Sequence, residues 1–161
     1  MGKFNFKDEQ DFEKTRSGAE AFYATIGEIR CPYFGEKISF NSAGLKHLKF
    51  KSDQVARSRS EQYARLKLFV LAPQVLSLSR TVQGISHMKH FERIRIHSRT
   101  DTILKSVSHY EFIAVLENVR VKVIVKQIDD GQKFFWSVIP FWGIDKNNSK
   151  RILHSGDPER D

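Results

Sequence analysis

His47 lies in the run GLKHLKF, with Lys46 and Lys49 close on either side. A cationic neighbourhood lowers the pKa of a histidine and favours the neutral imidazole, the form that accepts a proton. Beside groups that hold phosphate, such an imidazole suits RNA transesterification. The ribose 2′-hydroxyl must lose its proton as it attacks the adjacent phosphorus. Arg or Lys neutralises the charge building on the phosphate oxygens, and an acid protonates the leaving 5′-oxygen. The plain alternative is a histidine on a helix surface. Ser137 is notable for its setting, as the single hydroxyl in KFFWSVIPFW (133–142), a run with five aromatics. A core strand that tolerates one small polar residue explains it. A strand that carries part of an RNA-cleaving site explains it as well.

The charge balance agrees with a polyanionic partner. There are 27 Lys and Arg against 19 Asp and Glu, a formal net charge of +8. Between positions 45 and 67 seven bases (Lys46, Lys49, Lys51, Arg57, Arg59, Arg65, Lys67) meet two acids. Between 80 and 99 five bases (Arg80, Lys89, Arg93, Arg95, Arg99) meet one, Glu92. Arg93 and Arg95 alternate with Ile94 and Ile96, so both arginines project from one strand face. The planar fork of arginine suits bidentate phosphate contact. Each cluster read alone is also what a solvated helix or sheet face looks like.

Other chemistries lack their motifs. The chain has no G-x-S-x-G, Walker loop, H-E-x-x-H or G-x-G-x-x-G. His87 and His90 stand three apart but have no carboxylate or cysteine pattern around them, so no metal is expected. No cofactor is expected either. Cys31 is the only cysteine, which fits a reducing compartment and a cytoplasmic location. No run is apolar for long enough to span a membrane, and the charged start MGKFNFKDEQ has no signal-peptide core.

These residues need a scaffold. Residues 1–20 read as a loose polar arm with one helical turn at most, and FYATIGEIR (22–30) reads as extended. CPYFGEKISFN suggests a hairpin turning at Gly35. Asn41 or Ser42 is placed to cap a short helix over GLKHLKF. SDQVARSRSEQYARLKLFVLAP reads as a longer helix capped by Ser52 or Asp53, which Pro73 ends or restarts. From 91 the period becomes two. FERIRIH, HYEFIAVLE (109–117), VRVKVIVKQI (119–128) and KFFWSVIPFW are the expected strands, with a hairpin at Asp129-Asp130-Gly131. In the third strand Val119, Val121, Val123 and Val125 take one face. Arg120, Lys122, Ile124 and Lys126 take the other, expected to be a basic exposed face. The fold class is α+β: helices first, packed on one face of an antiparallel sheet of about four strands. One domain is expected over 21–144, with a polar tail over 145–161 that loops away.

KISFNSAGLKHLKF, ARSRSEQYARLKLFVLAPQVL and VRVKVIVKQIDDGQKFFWSVIPFW together resemble the phage-associated branch of the barnase–EndoU–colicin–RelE-like nuclease superfamily. That group comprises small RNases and RNase toxins. The resemblance covers 37–142 with gaps and lies in element order more than in a fixed signature. It implies a curved, RelE-like sheet of about four strands with RNA on its face, and metal-independent cleavage that leaves a cyclic phosphate. It implies His47 as general base or acid, Arg57 or Arg59 and Arg80 as phosphate contacts, and Ser137 as the hydroxyl on the scissile phosphate. Strict alternation puts Phe135 and Ser137 on one face and Trp136 on the other, so Trp136 is expected in the core. The glutamate base of barnase-like members has no clear counterpart. The second histidine of EndoU-like members is open among His87, His90, His97 and His109.

The expected function is therefore a metal-independent endoribonuclease, a toxin or mobile-element effector acting on RNA such as tRNA, with an antitoxin or immunity protein as a further partner. Lys46, Lys49, Arg57, Arg59, Arg93, Arg95 and Lys122 are the expected nucleic-acid contacts, and His47, Ser137 and Arg80 the catalytic set. A non-catalytic RNA- or DNA-binding module, or a protein whose basic face meets an acidic partner, fits the same composition.

Overall fold

The computed structural model describes residues 6–52, 54–140 and 157–161. Helix α1 (Glu9–Ile26) opens it, followed by strands β1 (Glu28–Cys31) and β2 (Glu36–Ser39) and helix α2 (Ser42–Lys49). A small ribbon, β3 (Phe50–Ser52) with β4 (Val55–Ala56), leads to α3 (Arg59–Leu68), a 3-10 turn (Phe69–Leu71) and α4 (Ala72–Leu78). Four longer strands close the described order: β5 (Gly84–Ile96), β6 (Arg99–Leu116), β7 (Val119–Ile128) and β8 (Phe134–Pro140). The α+β class holds. The sheet is larger than expected, with six strands in the order β1-β2-β8-β7-β6-β5. It is mixed, because β2 runs parallel to β8 through the single pair Ser39 and Phe134.

The early chain is a correction. Residues 9–26 form a helix of 18 residues, not a loose arm followed by extended chain. Asp8 caps it by accepting from the Asp11 amide, and Gly27 at φ 66 ends it. Phe12, Ala19 and Tyr23 are its buried residues, too sparse a stripe to stand out in a polar sequence. The expected long helix from 52 is also divided. Ser52 lies in the ribbon, Ser58 caps α3, and Pro73 begins α4. Asp53, residues 141–144 with Phe141 and Trp142, and 145–156 of the expected tail lie outside the described residues.

One face of the sheet meets the helices and holds the main core. Phe135 lies among Tyr23, Phe40 and Phe69, with its ring stacked on Phe40 at 5.0 Å. Val121, Val123, Val125 and Val138 are fully buried on this face. The alternation expected for β7 is therefore real. Its other face is mostly covered, however: Lys122, Ile124 and Lys126 are buried, and of the four residues expected there Arg120 alone is exposed.

Beyond Phe134 no strand among the described residues pairs with the outer edge of β8, and α2 and α3 pack against β8. Covering an open edge satisfies it and blocks pairing with other chains. The approach is tight. A Cβ on Gly44 would meet the Phe135 carbonyl oxygen at 2.3 Å and the Tyr23 hydroxyl at 2.7 Å. Only glycine lets α2 sit this low, one turn before His47. Gly44→Ala is expected to lower stability by about 1–3 kcal/mol in urea denaturation, the usual range for overpacking a filled interior. Unchanged stability would mean that α2 moves freely against β8.

Candidate functional site

The site begins with a β-bulge. On β7 and β8, Ile124 pairs with Ser137 and Val125 with Phe135, so Trp136 is the extra residue. A bulge re-aims the side chain it inserts. Phe135 stays in the core, while Trp136 and Ser137 both turn towards the second face of the sheet. This corrects the expectation of Trp136 in the core, which assumed a strand without a bulge.

His47 stacks on Trp136, with ring centroids 4.0 Å apart. The Lys126 ammonium lies 4.0 Å from the centroid of the same indole. Arg57 locks the imidazole from behind. Its Nη2 donates to His47 Nε2 at 2.9 Å, and its Nε donates to the His47 carbonyl at 2.9 Å. An imidazole that accepts from a guanidinium is neutral, with its proton on Nδ1. Burial, then the charges of Arg57, Arg65 and Lys126, push the His47 pKa down to about 2. The direction matches the sequence reading, but an imidazole so weakly basic and already hydrogen-bonded at Nε2 is a positioning group for Arg57 and Trp136.

Ser137 is fully buried, and its hydroxyl is used in both senses. It accepts from Arg65 Nη1 at 2.7 Å and donates to the main-chain oxygen of Asp161 at 2.5 Å. Arg65 donates to that oxygen too, and Arg57 Nη2 reaches the Arg160 carbonyl at 2.8 Å. Burial depresses both guanidinium pKa values, that of Arg65 to about 9 and that of Arg57 to about 10, so both stay charged at neutral pH. Of the tail expected to loop away, the described residues 157–161 instead pack here and supply main-chain acceptors to both buried arginines, alongside His47 and Ser137.

Glu159 completes the group. Its carboxylate lies 2.8 Å from Lys126 Nζ, 2.7 Å from His109 Nε2 and 3.8 Å from His90 Nε2. Burial alone would raise this carboxyl's pKa. The His109 hydrogen bond and the Lys126 charge outweigh it and hold the acid below its usual range, ionised at neutral pH. His109 is completely buried, and its Nδ1 has no hydrogen-bond partner among the described residues. In front of this group opens a cleft of about 680 Å³. Five bases line it (Lys46, Lys51, Arg93, Lys126 and Arg160) against one described acid, Glu159.

Of the residues singled out in sequence, His47, Arg57 and Ser137 meet here, and Lys46 and Arg93 line the cleft. The others stand apart. Lys49 pairs with Glu20 at 2.7 Å. Arg59 pairs with Glu9 and lies over the Phe12 ring. Lys122 is buried 3.3 Å from Glu111. Arg95 is far out on the β5–β6 hairpin, and Arg80 is exposed in the loop after α4. Cys31 is buried, and burial raises its thiol pKa, which opposes nucleophilic use. Sequence reasoning gave no role to Arg65, Lys126 or Glu159, and left His90 and His109 among several histidines. One signal was available for Lys126. Ile124 and Ile128 interrupt the basic alternation of β7, as they would on a covered face.

No protein-family model matches the chain, and neither does any curated protein or solved structure.

The buried neutral His47 makes stability depend on pH. The unfolded chain binds a proton at His47 near pH 6.5, whereas the folded chain does so only near 2. The contribution is fully present above the unfolded value and is lost as pH falls from there towards the folded one. The slope is at most about 1.4 kcal/mol per pH unit from this group. Urea melts between neutral pH and the mildly acidic range are expected to show this loss in wild type and a flatter profile in His47→Phe. Equal slopes would place His47 in water.

Proposed function

We propose that the cleft binds RNA and cleaves its backbone by 2′-hydroxyl transesterification, without a metal. The observation that carries this reading is Glu159, an ionised carboxylate in a basic cleft with two histidines beside it. With a ribose placed against it, Glu159 accepts the 2′-hydroxyl proton as the oxygen attacks phosphorus. Lys126 neutralises charge growing on the phosphate oxygens. The 5′-oxygen leaves and takes a proton from the ring of His90, which is partly exposed on the cleft wall. The products are a 2′,3′-cyclic phosphate and a 5′-hydroxyl. Lys46 and Arg93 hold the flanking phosphates. His47, Arg57 and Ser137 act behind this set by fixing Trp136 and the chain that carries Glu159.

The later part of the chain, where α2, α3 and α4 precede the antiparallel run β5 to β8, resembles the small RNases of the barnase–EndoU–colicin–RelE-like superfamily and supports the reading, although β1 and β2 of the same sheet come before those helices. The six-stranded sheet departs from the RelE-like pattern of about four strands. Toxin or effector activity, and an antitoxin partner, would follow from such a cleavage. A second reading, a binding module without catalysis, is favoured by the pairing of Glu159 with both His109 and Lys126. Those partners lower its basicity.

Purified protein incubated with total RNA and EDTA separates the two. Wild type is expected to cleave and leave cyclic phosphate ends. Glu159→Gln and His90→Ala are each expected to lose roughly 100-fold or more in rate, the usual weight of a general acid or base. Glu159→Gln should still retard RNA on a gel, at least as tightly as wild type, because a negative charge has left the cleft. Cleavage undiminished in Glu159→Gln removes that carboxylate from the mechanism. RNA retarded but never cut by wild type leaves the binding module.

A further inference from the structure

The hairpin of β5 and β6 is much longer than the sheet that supports it. β7 pairs with β6 only from Val107 to Leu116. From Lys89 to Ser106 the two strands pair only with each other, around a turn at His97 and Ser98 with φ of 49 and 66. Among the described residues, no third strand pairs with this two-stranded ribbon. One of its faces carries a regular row. Lys89, Phe91, Arg93 and Arg95 alternate along β5, directly opposite Ser106, Leu104, Thr102 and Thr100 on β6.

That face is exposed throughout the arm. Phe91 has 67% of its surface open and Leu104 opposite it has 49%. Lys89, Arg93 and Arg95 make no ion pair among the described residues, unlike Lys105, held by Asp129 at 3.0 Å, and Arg99, held by Asp101 at 3.2 Å. An exposed aromatic ring set between unpaired cations suits a strand of nucleic acid. The cations follow the phosphates and the ring accepts the face of a base, whatever its sequence.

The arm also continues the cleft. Phe91, Arg93 and Thr102 line it from one side, and Trp136 and Lys126 from the other. Trp136 itself is already occupied by His47 and Lys126. Phe91 is the most exposed of the described aromatic residues that line the cleft. We infer that the Lys89–Phe91–Arg93–Arg95 face of the β5–β6 arm is a stacking platform that receives single-stranded RNA leaving the cleft. This rests on the cleft being the RNA site. It adds a substrate class, because a base inside a duplex cannot give its face to Phe91.

The test uses a fluorescein-labelled 2′-O-methyl oligouridylate about ten nucleotides long, which cannot be cleaved, read by anisotropy. Wild type is expected to bind it more tightly than a duplex of equal length. Phe91→Ala is expected to weaken binding roughly tenfold, and Phe91→Trp to restore it. Replacing Arg93 and Arg95 by Gln should flatten the salt slope by about 0.7 for each phosphate that is no longer neutralised. Lys126→Gln in the cleft, with its fold checked by circular dichroism, tests the parent reading. If Lys126→Gln loses binding and Phe91→Ala does not, the cleft stands and the platform is overturned. If wild type binds neither probe, both are overturned. If Phe91→Ala changes only the mass in light scattering, the face covers a second copy and the platform is overturned.

Discussion

Arg57 and Arg65 carry full charge where water does not reach them, and the organisation of the site follows from that. A buried guanidinium costs several kcal/mol unless oxygen or nitrogen acceptors replace its hydration. Here the acceptors come from four places: the His47 carbonyl and ring nitrogen, Ser137 Oγ, and the main-chain oxygens of Arg160 and Asp161. They lie on α2, on β8 and in the segment 157–161. The two arginines thereby tie a helix, a strand and a distant stretch of chain to α3 and the turn before it. Removing one acceptor strands a charge, so these parts hold together as a unit.

Two local features make that convergence possible. Gly44 lets α2 settle against the backbone of β8, which brings His47 over Trp136. The bulge at Trp136 turns two successive side chains to the same face, the indole against His47 and the hydroxyl towards Arg65. A regular strand would have sent one of them into the core. Carried by the anchored segment, Glu159 arrives between His109 and Lys126 at the back of a basic cleft. The inner arginines hold the chain together, the outer bases line the cleft, and Glu159 stands at the boundary between the two.

The strands from Val119 onwards were legible because one of their faces is uniformly apolar, and a period of two then appears in the sequence. So was the start of α2, where Asn41 accepts from the Ala43 and Gly44 amides as a cap should. The arm of β5 and β6 was legible only in part. Its described residues from Lys89 to Ser106 are exposed or half-buried, so charged and apolar residues mix along it and the alternation fades. Helix α1 was hidden for a related reason, since three buried residues in 18 make little pattern. Within the site, His47, Arg57 and Ser137 were found by residue type and setting. Arg65 resembled one more base of a charged helix. Glu159 lies 33 residues beyond Lys126, and no local pattern connects them. A bulge has no signature in the strand that bears it, which is why Trp136 was placed on the wrong face.

The most direct measurement is a nitrogen-15 NMR titration with uridylyl-uridine whose first ribose lacks the 2′-hydroxyl, so that no cleavage can occur. Shifts are expected at the Trp136 indole N–H, the Lys126 ammonium and the amides around Lys46 and Arg93, with the buried arginine signals unmoved. Shifts centred elsewhere on the sheet, or none at millimolar dinucleotide, would contradict the claim that this cleft receives an RNA phosphodiester.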